Sequence, residues 1–128
     1  MKRTAAFYIL ALCLICMNTG CSPLLLGVAA GGAGVYAVSK DTIQGDTDKT
    51  YNSLFSAALE IGRNRGTITQ EDYARGSIET QVDASRVWIR LVKLTRTTTR
   101  VRVSSRKYHF PNLGLAQDMF TKILEAAK

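Results

Sequence analysis

From Tyr51 onward the spacing between apolar residues changes period twice, and each change marks a new kind of element. Tyr51, Leu54, Phe55, Ala58, Leu59 and Gly62 recur at three- and four-residue intervals, the spacing of one helical face. Asp48 stands where it can cap a helix starting at Lys49 or Thr50, Arg63 and Arg65 suit the negative end of its dipole, and Gly66 ends it. The period then falls to two. TITQED, GSIETQV, SRVWIRLVKL and TTTRVRVSS are short, rich in β-branched residues and bounded by turn formers, which predicts four strands. Their tight connections make them antiparallel. A weaker strand from Ala37 to Gln44 is expected to join them at an edge. Pro111 and Asn112 then introduce a closing helix in which Leu115, Met119, Phe120, Ile123, Leu124 and Ala127 share a face.

The expected order is therefore β-α-β-β-β-β-α, with about four to five strands in one antiparallel sheet. Both helices carry apolar stripes that must be covered. Packing them side by side on one face of the sheet satisfies both and leaves the other face to solvent, which makes an α+β domain of two layers.

The N-terminal residues follow another logic. Lys2 and Arg3 precede an uncharged apolar run from Ala5 to Met17, followed by Asn18, Thr19, Gly20 and Cys21, the order of an export signal. The run is shorter than the roughly 20 residues a spanning helix needs. All three cysteines lie in this region. Cys13 follows Leu12 and Cys16 follows Ile15, whereas Cys21 follows glycine, the small residue that signal peptidases require. Cys13-x-x-Cys16 has the spacing of a redox or metal pair, but no second pair or nearby histidine completes a zinc site, and both residues fall in the segment to be removed. Leu24 to Val38 is apolar, rich in glycine and alanine, with Gly27 and Gly31 and then Ala30 and Gly34 four apart. That spacing allows close helix approach in a membrane. As a helix, however, the segment reaches only about 22 Å, so an apolar tether lying against the lipid is the expectation. The expected division is a signal peptide at 1–20, a tether at 21–37 and a folded domain at 38–128.

Asn18-Thr19-Gly20-Cys21 resembles the lipobox of bacterial lipoproteins, departing from it at Asn18, where a branched aliphatic is usual. The resemblance implies that the Cys21 thiol receives diacylglycerol and that Cys21 becomes the first residue of a triacylated chain. Ser22, standing where an aspartate would favour inner-membrane retention, implies the outer membrane of a Gram-negative bacterium, facing the periplasm. The leader ending Gly34-x-Tyr36, the Thr50-Tyr51 helix entry with Ala57-Ala58-Leu59 and Gly62, and the strand meander before a C-terminal helix are similar to small bacterial lipoproteins known only as a domain of unknown function. That likeness implies no catalytic residues. The element order also resembles helix-grip-like modules of envelope assembly lipoproteins, a likeness of fold alone.

Charge adds one candidate site. Without Lys2 and Arg3 the chain carries a net +5. Alternation places Val87, Ile89, Leu91, Val101 and Val103 on one face of the last two strands, and Arg86, Trp88, Arg90, Arg100 and Arg102 on the other. Arginines around an aromatic on an open sheet can hold phosphates and stack bases. An outer-membrane lipoprotein meets little nucleic acid, so anionic lipid, lipopolysaccharide phosphates or an acidic protein partner are the expected counterions. The same pattern also suits a solvated face of cross-strand ion pairs, with Glu79 and Glu71 on the matching parity. Trp88 is expected on that face unless a bulge turns it inward.

No enzyme is expected. His109, the one histidine, lies between Tyr108 and Phe110 at a strand end, and no phosphate loop, metal-ligand cluster or nucleophile with its base is spaced for chemistry. GVAAGGAGV follows no strand and is not read as a dinucleotide fingerprint. The expectation is a non-enzymatic module with no cofactor and no metal, held to the membrane by Cys21 and acting on an envelope protein partner. The alternative is binding of anionic lipid or lipopolysaccharide through the arginine face.

Overall fold

The computed structural model describes residues 35–128. Residues 1–34, and with them the expected signal peptide, Cys21 and most of the expected tether, lie outside the described residues. A hairpin of β1 (Val35–Ser39) and β2 (Thr42–Thr47) comes first, followed by α1 (Tyr51–Arg65). The meander β3 (Thr67–Asp72), β4 (Ser77–Val82), β5 (Ser85–Lys93) and β6 (Thr99–Lys107) comes next, and a two-residue β7 (Phe110–Pro111) leads into α2 (Leu113–Ala126). The strands form one antiparallel sheet in the order β1-β2-β6-β5-β4-β3, with β7 beside β6. This is the α+β fold that the apolar spacing predicts.

Two boundaries differ from expectation. The single edge strand over Ala37–Gln44 is instead a hairpin that turns at Lys40 and Asp41, and β1 begins ahead of the expected boundary at Val38. The turn contains neither glycine nor proline. It is closed by the Asp41 carboxylate, which accepts from the hydroxyls of Ser39 and Thr42. The cap of α1 is Thr50 and not Asp48: the Thr50 hydroxyl oxygen accepts from the Ser53 amide at 3.2 Å, and Asp48 lies exposed two residues upstream. Asn112 does the same for α2, accepting from the Leu115 amide at 3.3 Å.

The core lies between the helices and one face of the sheet. Val87, Ile89, Leu91, Val101 and Val103 supply its floor, as their parity requires, with Ile43 and Ile78 beside them. Leu54, Phe55 and Ala58 close it from α1; Met119, Phe120, Ile123 and Leu124 close it from α2. α1 rests on β3, β4 and β5, while α2 rests on β6 and β2 and against α1. Thr80 ties the layers together, its buried hydroxyl donating to the Thr67 carbonyl at 3.1 Å and lying 3.4 Å from that of Gly62. Among the described residues no helix is long and apolar enough to cross a membrane.

Gly66 ends α1 as expected, for a reason the sequence does not display. Its backbone is extended, and a Cβ there would lie 2.0 Å from the Gln81 carbonyl oxygen of β4. Gly66→Ala should therefore displace β4 and destabilise the domain by about 2–3 kcal/mol, read as a lower urea midpoint. Ser105 presents the opposite case. Its hydroxyl is buried under the helices without a hydrogen-bond partner among the described residues. Ser105→Ala removes that orphan and should raise stability by about 1 kcal/mol in the same assay.

Candidate functional site

β5 and β6 run side by side through nine consecutive pairs, Ser85↔Lys107 to Lys93↔Thr99, without a bulge. Their outward side chains therefore stand in rows across the sheet. One row reads Ser77, Arg90, Arg102 and Gln44 through β4, β5, β6 and β2, and the next reads Glu79, Trp88, Ser104 and Thr42. Arg86, Trp88, Arg90, Arg100 and Arg102 all lie on this open face, as the alternation predicts, and Trp88 is half-buried there. His109 is exposed in the turn between β6 and β7 and takes no part.

The carboxylates on this face are unevenly shared. Arg100 grips Asp46 with both arms of its guanidinium, at 2.7 and 2.9 Å. Arg86 lies 3.2 Å from Glu79 and sits over the Trp88 ring, 5.9 Å from its centroid. Arg106 donates to Asp41. Each pair occupies the acid that would otherwise neutralise a neighbour. The Arg90 guanidinium has no hydrogen-bond or ion-pair partner among the described residues. Arg102 donates only to the neutral Oε1 of Gln44, its Nε at 2.8 Å. These two arginines stand directly opposite each other, where Cβ atoms are about 4.5–5.5 Å apart and like charges repel.

Glu71 does not join this face. A bulge between Ile68 and Gln70 shifts the parity of β3, so Glu71 stands opposite buried Ile78 and points toward the helix side, 3.7 Å from Arg63 of α1. Glu79 takes the place expected for it. The sequence does not reveal Asp46 and Gln44 of β2, or Asp41 in the turn before it, as partners of these arginines, because β2 pairs with β6 only through a crossover that reading along the chain does not display.

Asp41 is the most strongly perturbed acid at the site. The Ser39 hydroxyl, the Arg106 guanidinium and the Thr42 hydroxyl together hold its pKa down to about 2, against the opposing effect of burial. Asp46 is likewise lowered by its bond to Arg100. Thr42 also meets the Ser104 hydroxyl at 2.7 Å. Its single hydrogen goes to Asp41, so the Ser104 hydroxyl must donate to Thr42, leaving the Ser104 oxygen free to accept. Trp88, Arg90, Arg102 and Ser104 line a depression of about 590 Å³ together with Asp41 and Arg106, whose charges are already paired with each other. Among the described residues no group of three or more His, Cys, Asp or Glu comes together to hold a metal ion.

A family model described as "Protein of unknown function (DUF3568)" matches residues 4–107. The chain belongs to this family. Comparison of the DUF3568 chain with curated proteins and with solved structures gives no match. The matched span includes both β5 and β6, and with them all five arginine-face residues, but stops short of α2.

The acid response of the DUF3568 domain follows from Asp41. Its pKa in the folded state lies below the unfolded value of 3.8, so it stabilises the fold above about pH 4 and loses that contribution as pH falls toward 2. The contribution at neutral pH is on the order of 1–2 kcal/mol. Asp41→Asn should lower the urea midpoint at pH 7, and the difference from wild type should shrink as pH is taken down to 3.

Proposed function

We propose that this DUF3568 protein is a lipid-anchored binding module of the cell envelope, attached through Cys21 and facing the periplasm from the outer membrane. It performs no chemistry of its own and acts by holding another envelope component. One observation carries this reading: the helices cover one face of the sheet, and the bare face sets Arg90 opposite Arg102 with no carboxylate between them. A row of like charges weakens a sheet by a few tenths of a kcal/mol per pair or more, so it serves the fold poorly and an anionic partner well. The order of charges, apolar run and Gly20-Cys21 at the N-terminus supports the anchor. Three acyl chains at about 0.8 kcal/mol per buried CH₂ make such attachment effectively permanent.

A second reading, binding of anionic lipid or lipopolysaccharide, is favoured by the company the arginines keep. Trp88 and the Ser104 hydroxyl share the depression with them, a mixture suited to a headgroup with both charged and neutral parts.

Intact mass of the membrane-extracted protein, wild type beside Cys21→Ser, tests the anchor. Cleavage before Cys21 with added acyl mass, lost in the variant, is expected; retention of residues 1–20 without lipid overturns it. A photo-cross-linking residue at Val92, exposed on the open face, should capture an envelope component in intact cells, whereas one at Glu60 on the outer side of α1 should not. Equal capture at both positions would remove the open face from the proposal.

A further inference from the structure

We infer that the depression between β4, β5, β6 and β2 is a binding site for a phosphorylated sugar, with the phosphate held by Arg90 and Arg102 and the sugar ring resting against Trp88. The inference rests on the second reading above and names the chemistry of its ligand.

The first argument concerns the anion. Each guanidinium offers five N–H donors in a planar fork. Those of Arg90 have no partner among the described residues, and Arg102 uses only its Nε and one terminal nitrogen on Gln44. A single carboxylate saturates one fork. A phosphate monoester carries about −1.5 to −2 charges on three acceptor oxygens and can take both forks at once, which also removes the repulsion between them. Gln44 is central to this. It is buried, and its amide oxygen orients the Arg102 fork without cancelling its charge, as a glutamate of the same shape would.

The second argument concerns what lies beside the anion. A bare phosphate would fill a small part of 590 Å³. One row along the strands, Trp88 offers part of an aromatic surface that can take the apolar C–H face of a sugar. Its neighbour Ser104, having given its hydrogen to Thr42, offers an acceptor, which suits a hydroxyl on the ligand and not an anionic oxygen. Donors at one end, an acceptor in the middle and an aromatic surface alongside match a sugar phosphate. Free sugar phosphates and phosphorylated glycolipid headgroups share that chemistry.

Trp88 is the chain's one tryptophan and so reports on its own site. The full-length membrane-extracted protein in neutral detergent is titrated with glucose 6-phosphate, glucose, inorganic phosphate and oligoglutamate while Trp88 emission is followed. A saturable change with glucose 6-phosphate is expected, with inorganic phosphate at least about tenfold weaker and glucose alone without effect. Arg90→Gln and Gln44→Glu should each weaken the response about tenfold or more. Gln44→Glu gives Arg102 a carboxylate and should raise the thermal midpoint, which separates lost binding from lost folding. Vesicles of phosphatidylcholine with and without lipid A supply the second arm: a response to lipid A many times stronger than to glucose 6-phosphate identifies the glycolipid as the source, and an equal response identifies the free sugar.

No saturable response to either probe, a response unchanged in Gln44→Glu, or a stronger response to oligoglutamate overturns the inference. The cross-link at Val92 is independent of these titrations. If it still captures an envelope component, the binding module stands with a different ligand; if both fail, both readings fall.

Discussion

The unbroken pairing of β5 with β6 fixes the rest of the molecule. Nine consecutive residue pairs leave no freedom of parity, so Val87, Ile89, Leu91, Val101 and Val103 must enter the core while Arg86, Trp88, Arg90, Arg100 and Arg102 leave it. A slip by one residue would bury the arginines and expose the valines, which is why register here is strongly specified. The helices could settle on only one face, because only one face is apolar. The other face is what remains once the core is built, and its chemistry is dictated by the same alternation.

Charge on that face is handled pair by pair. Asp41, Asp46 and Glu79 each hold a different arginine, and two of these acids come from the N-terminal hairpin and not from the meander that supplies the arginines. The hairpin thus does more than extend the sheet. It neutralises the outer positions of β6 while placing a neutral amide, Gln44, beside Arg102. The result along β6 is a gradient, from Arg100 and Arg106, each held by a carboxylate, to Arg102 between them, held by an amide.

Much of this was legible in the sequence. The helices, the meander and the division of β5 and β6 into apolar and basic faces follow from periodicity alone, since adjacent residues on a strand determine parity without tertiary knowledge. Local side-chain chemistry was less visible: Asp41 closes a turn with no glycine or proline in it, and a bulge in β3 sends Glu71 to the helix side. The partners of the arginines were least visible of all. Gln44 and Arg102 are 58 residues apart, and only the crossover of α1 brings their strands together. The site's cations could be read from the chain, but its compensation could not.

That crossover also sets an order of events in time. β1 and β2 are the first strands synthesised, yet β2 pairs with β6, among the last. Joining them closes a long loop, whose entropy must be overcome before any contact in the pair offsets it. The pairings of the meander from β3 to β6 are local, whereas the hairpin stays without a neighbour on its β6 side until β6 has formed. Arg100 and Arg102 therefore receive Asp46 and Gln44 only once β6 is in place, and the long-range docking of the hairpin onto β6 should weigh heavily in the folding kinetics of this domain.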